Sequence, residues 1–122
     1  MKMLKVLIVE DELIFAHEMK LWLTDGGYEV VGLTSQGDKA VNMAFSLDPD
    51  LIIMDVQLRG NINGVQAALQ IREKKEIPVV FLTGNPNLSS TLKRTSLESA
   101  AIITKLVSDY KLLDMLNSLK NK

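Results

Sequence analysis

A chain of 122 residues, 47% hydrophobic and 24% charged, has the size and mix of one globular domain, so a single domain over 1–122 is expected. The net charge of −1 argues against a nucleic-acid-binding surface spread over the domain, and the lack of cysteine excludes disulfides and thiolate metal sites. The opening MKMLKVLIVEDE turns acidic after a short apolar run, too soon for a signal peptide or a membrane span. The expected location is cytoplasmic, with no membrane partner.

In chain order, short apolar runs alternate with helical stripes. Residues 4–9 form the first run, with Val6, Leu7, Ile8 and Val9 contiguous. Such runs mark strands covered on both faces, as in parallel sheets. Residues 12–25 read as a helix with Phe15, Ala16, Met19, Trp22 and Leu23 on one face, stopped by Gly26-Gly27. Residues 29–33 (EVVGL) are a strand weakened by a glycine. Residues 38–47 place Ala40, Val41, Ala44 and Phe45 at helical spacing, and Asp48-Pro49-Asp50 turns into a strand over 51–55. Asn63 can cap a helix running to about Lys75, with Val65, Ala68, Leu69 and Arg72 on its inner side. Pro78 opens a strand over 78–83. Residues 88–98 read as a weak helix and 100–104 as a fifth strand. A last helix over 108–120 turns Leu112, Leu113, Leu116 and Leu119 inward.

The order βαβαβαβαβα implies an α/β doubly wound parallel sheet with helices on both faces. Ligands of such sheets bind at the carboxyl ends of the strands. Those ends read Glu10-Asp11 and then Glu12, Asp55, Thr83-Gly84, and Thr104-Lys105. Crowded carboxylates repel unless a cation intervenes, and hard oxygen ligands favour Mg2+. A carboxylate can also attack phosphorus to form an acyl phosphate. Mg2+, Lys105 and Thr83 around a phosphoryl group on Asp55 would supply the neutralisation and positioning that phosphoryl transfer needs. Plainer readings stand beside these. Asp11 can be a helix N-cap, Glu12 a first-turn acid, and Thr83 and Lys105 ordinary turn residues. His17 falls outside the apolar stripe and reads as solvent-facing. Met19, Met43 and Met115 read as core filler, and Trp22 as packing.

With these residues the sequence resembles the receiver domain of two-component response regulators, over about residues 4–120. The matching pieces are LIVEDE, LIIMD, VVFLTG and ITK, in order at strand ends. The resemblance implies a flavodoxin-like (βα)5 three-layer sandwich with five strands in the order 2-1-3-4-5. It implies Glu10 and Asp11 as the acidic pair for Mg2+, with Asp55 as phosphoacceptor and metal ligand. The Gln57 backbone carbonyl would be a further metal ligand, and Thr83 and Lys105 would hold the phosphoryl group. The implied partners are a sensor histidine kinase or phosphotransfer protein, and an output domain or downstream protein through the 88–120 face. The protein would catalyse only its own phosphorylation and dephosphorylation.

Three positions depart from the family pattern. Lys105 is followed by Leu106 where the family has a cis proline. A cis bond without proline costs about 2.5–4 kcal/mol, so the bond is either trans in a rearranged loop or a strained cis. Ile102 stands where an aromatic switch residue is usual. The loop QLRGNINGV lacks the common proline and carries Gly60 and Gly64 around Asn63. Three rival readings stand beside this one. A haloacid-dehalogenase-type phosphatase needs a second Asp where Gln57 stands. A flavodoxin-like cofactor binder needs a phosphate-cradling loop where three acids stand. A degenerate receiver, acting as a phosphorylation-independent docking module, would have kept the fold alone.

Overall fold

Apolar side chains 6–9 and 51–54 are covered on both faces and form the middle of a parallel sheet. The computed structural model describes residues 3–84, 101–104 and 116–117, and only the backbone of 101–104. Its elements run β1 (Lys5–Val9), α1 (Leu13–Asp25), β2 (Glu29–Thr34), α2 (Gly37–Leu47), β3 (Leu51–Asp55), α3 (Gly64–Arg72), β4 (Val79–Thr83) and β5 (Ala101–Thr104). The sheet order is β2-β1-β3-β4-β5 with every pair parallel, as expected. The helix expected over 88–98 and nearly all of that expected over 108–120 lie outside the described residues. Leu116 and Asn117 are helical, and Leu116 is buried as the leucine spacing requires.

Strand alternation divides the core in two. Val6, Ile8, Ile53, Val80 and Leu82 pack with Ala16, Met19 and Leu23 of α1 and with Leu116. Leu7, Val9, Ile52, Met54 and Phe81 pack with Ala40 and Ala44 of α2 and Ala67, Ala68 and Ile71 of α3. Phe15 and Trp22 border the first cluster as an edge-to-face pair, ring centroids 6.1 Å apart. His17 faces solvent, as expected. Leu13, Ile14 and Leu21 do too, since they lie off the α1 stripe.

The register of β1 on β3 is tied at the amino end. The Asp50 amide donates to the Lys5 carbonyl, and the Lys5 amide donates to Asp50 Oδ2, both at 2.8 Å. The weak strand β2 pairs with a register shift between Val6 and Leu7, whose partners are Val30 and Gly32. A Cβ on Gly32 would press the ends of the Met43 and Leu47 side chains, so glycine lets α2 lie close.

Two expectations about helices are corrected. Glu12, not Asp11, holds the N-cap position of α1, and it makes no side-chain cap bond. Asp11 is thereby left to the strand end. In α3 the buried residues are Gly64, Ala67, Ala68 and Ile71, while Val65 and Leu69 are half-buried and Arg72 is not core. Gly64 sets this rotation. Its amide donates to the Val56 carbonyl at 2.9 Å, and a Cβ there would overlap the Asp55 carbonyl oxygen. The helix must turn its 64, 67, 68 and 71 line to the sheet. Asn63 caps as expected, in a reciprocal box with Gln66 at 2.8 and 2.9 Å. The regular helix ends at Arg72, and the Lys74 and Lys75 amides close a final turn on the Ile71 carbonyl.

Two measurements check this packing. Gly64→Ala should lose about 3 kcal/mol in chemical denaturation, the upper end for overpacking, because backbone rather than a flexible side chain blocks the new methyl. The Tyr28 hydroxyl donates to Asn117 Oδ1 at 2.7 Å, and burial raises its pKa above the ordinary value of 10.0. Above pH 10 the unfolded phenol loses its proton while the folded one keeps it, so stability falls as pH rises. Tyr28→Phe should cost about 0.5–1.5 kcal/mol at neutral pH and blunt the stability loss above pH 10.

Candidate functional site

The site lies where the strand order reverses. The chain leaves β1 for β2 on one side and returns to β3 on the other, so the carboxyl ends of β1 and β3 face one crevice. Val9 pairs with Met54, which sets the next residues, Glu10 and Asp55, level with each other. Asp55 pairs with Leu82, so Thr83 stands one residue further along β4. Thr83 pairs with Thr104 on β5. Lys105, Leu106 and Asn85 lie outside the described residues, as does the side chain of Ile102.

The main chain holds these groups at the end of a dry sheet. The Glu10 amide donates to the Thr34 carbonyl and the Val56 amide to the Leu82 carbonyl, both at 3.0 Å. Each bond carries strand pairing one residue beyond the regular ladder. Glu10 is fully buried, and Asp55 and Thr83 are each 1% exposed. The Asp11 side chain is 17% exposed. The Gln57 amide donates to Asp55 Oδ1 at 3.1 Å, and the Gln57 side chain faces solvent.

One carboxylate oxygen from each of Glu10, Asp11 and Asp55 lies within 4.8 Å of the others. At an effective dielectric of about 20, two like unit charges at that spacing repel by roughly 3 kcal/mol. A hard divalent cation held there would relieve that repulsion. The donor set is all carboxylate oxygen, which suits Mg2+ or Ca2+ better than a thiolate- or imidazole-seeking ion. The expected acidic pair and Asp55 are thus brought together, with Thr83 on the neighbouring strand end.

One neighbour was not anticipated. Arg59 places Nε 3.6 Å from Asp11 Oδ2. It sits in the loop QLRGNINGV, four residues after Asp55, and its backbone bridges to Gln36 before α2. The only sequence signal was a basic side chain in the loop leaving an acidic strand end. Reach across the crevice depends on how that loop folds.

Known proteins resemble this chain in sequence and in fold. The chain is similar to the transcriptional regulatory protein PdtaR of Mycobacterium tuberculosis, 40% identical over 79 residues, covering 65% of this chain and 38% of that protein. It is similar to a protein-glutamate methylesterase/protein-glutamine glutaminase of Geobacter metallireducens, 32% identical over 109 residues, covering 85% of this chain and 30% of that protein. The chain therefore spans about a third of the length of these curated relatives. Among solved structures, the signal receiver domain of a modulated diguanylate cyclase from Desulfovibrio desulfuricans superposes with a TM-score of 0.85 at 28% identity, covering 96% of this chain and 93% of that one. PhyR from Bartonella quintana superposes at 0.82 with 29% identity, covering 94% and 47%. No helix among the described residues is long and apolar enough to cross a membrane. The family described as the response regulator receiver domain matches residues 6–117, and the chain belongs to it.

Proposed function

We propose that this receiver domain is a phosphorylation-dependent switch that takes a phosphoryl group onto Asp55 from the phosphohistidine of a sensor kinase or phosphotransfer protein. The observation that carries the reading is the convergence of Glu10, Asp11 and Asp55 within 4.8 Å at the strand-order reversal. An Asp55 carboxylate oxygen forms the new P–O bond. The P–N bond to the donor imidazole breaks, and its electron pair returns to the ring nitrogen. Asp55 suits the role because its carboxylate ends a rigid central strand and is oriented by the Gln57 amide.

Glu10, Asp11, Asp55 and the Gln57 carbonyl would hold Mg2+, which supplies charge neutralisation for the phosphoryl oxygens. The Thr83 hydroxyl and the Lys105 ammonium are assigned to the phosphoryl group. The modified Asp55 would carry about −1.5 to −2 charge at neutral pH. Thr83 and Lys105 would move toward it and shift the loops after the fourth and fifth strands. The 88–120 face, outside the described residues, would then change its affinity for an output domain or a downstream protein. A full swing from 1:99 to 99:1 requires about 5.5 kcal/mol of differential stabilisation. Catalysis is limited to the domain's own phosphorylation and dephosphorylation, with no direct nucleic-acid contact. The longer relatives named as transcriptional regulators and methylesterases support a role in which this domain governs something else.

Incubation with a small-molecule phosphoryl donor and Mg2+, followed by intact-mass spectrometry, tests the reading. Wild type should gain one phosphoryl group, and Asp55→Asn should gain none. Equal uptake by the mutant would move the site elsewhere. No uptake by wild type would favour the docking-module alternative.

A further inference from the structure

Arg59 is an exposed residue whose charge is aimed inward. Its side chain is 89% accessible, so it contributes little packing, yet its Nε stands 3.6 Å from Asp11 Oδ2. That separation is too long for a hydrogen bond. It is a charge contact, easily broken and easily re-formed. The backbone of the same residue is anchored. Arg59 bridges to Gln36, the Val56 amide is tied to Leu82, and the Gly64 amide closes the loop on Val56. The guanidinium is permanently charged and cannot diffuse away, so its effective concentration at Asp11 is high.

Asp11 is also one of the three carboxylates that converge at the crevice. A cation bound by Asp11 and the nearby guanidinium would repel each other. We infer that Arg59 is a tethered competitor of the divalent cation: it partly neutralises Asp11 in the metal-free domain and swings out when the cation arrives. The inference rests on the reading of Glu10, Asp11 and Asp55 as the cation site. It makes Arg59 a determinant of cation affinity, not a catalytic residue. The strength typical of an exposed ion pair sets the effect at about two- to fivefold in affinity.

The test is a titration with Mg2+ alone, followed by nuclear magnetic resonance of the Asp11 amide and the Arg59 Nε–H. The proteins are wild type, Arg59→Gln, Arg59→Lys, Asp11→Asn and Lys20→Gln. Lys20 is exposed two turns along α1 and controls for the loss of one positive charge. Arg59→Gln should bind Mg2+ about two- to fivefold more tightly than wild type, and more tightly than Lys20→Gln. Arg59→Lys should stay near wild type, and the differences should shrink at high salt. In wild type the Arg59 Nε–H signal should move with the same midpoint as the Asp11 amide. Affinity of Arg59→Gln no greater than that of Lys20→Gln, or a stationary Nε–H signal, overturns the inference while leaving the cation site intact. Absence of a saturating response in wild type, matched by Asp11→Asn, overturns the cation site and the inference with it.

Discussion

Parallel pairing of β1 with β3 is the constraint on which the rest of this domain depends. It is tied at one end by the reciprocal bonds between Lys5 and Asp50 and runs without a shift to Val9 and Met54. At the other end it leaves Glu10 beside Asp55. A slip of one residue would turn Ile52 and Met54 toward α1 and separate the two carboxylates. Dry packing on both faces of these strands makes the register costly to change. The same packing brings the acids together with little water to screen them, so the hydrophobic core creates the electrostatic tension at the site.

The loop from Val56 to Asn63 is the second determinant. It lacks the proline usual in the family and is held by other means. The Asn63–Gln66 box starts α3, Gly64 seats that helix against the Asp55 backbone, and the Gln36–Arg59 bridge joins the loop to the start of α2. Gly37 adds close packing, since a Cβ there would meet Ile62. These contacts link the Asp55 strand end to α2 and α3, on the side of the sheet away from α1. They also put Arg59 within reach of Asp11.

Much of the fold was legible because its signals are local. Apolar runs, Gly26-Gly27 after α1, Asp48-Pro49-Asp50 after α2 and Asn63 before α3 each act within a few residues. The candidate site was legible to the extent that its members end strands. The inner face of α3 was legible in part: Ala68 is buried and Val65 and Leu69 pack against the core at its margin. Close approach of backbone at Gly64 turns the helix further, so that Ala67 and Ile71 are buried as well. Asp11 was read as a possible cap because acids favour helix starts, but α1 begins after Glu12 and leaves Asp11 at the strand end.

Among the described residues, the sequence by itself determined which segments are strands and helices, their alternation, and the placement of Glu10, Asp11, Asp55 and Thr83 at carboxyl ends. Those properties follow from periodicity and turn chemistry, which neighbouring residues settle among themselves. The tertiary structure alone decided that Glu10 stands level with Asp55, that Gly64 rotates α3, and that Arg59 reaches Asp11. Each depends on contact between segments far apart in the chain, where register and close packing set positions to within a few ångströms. No local pattern carries that information.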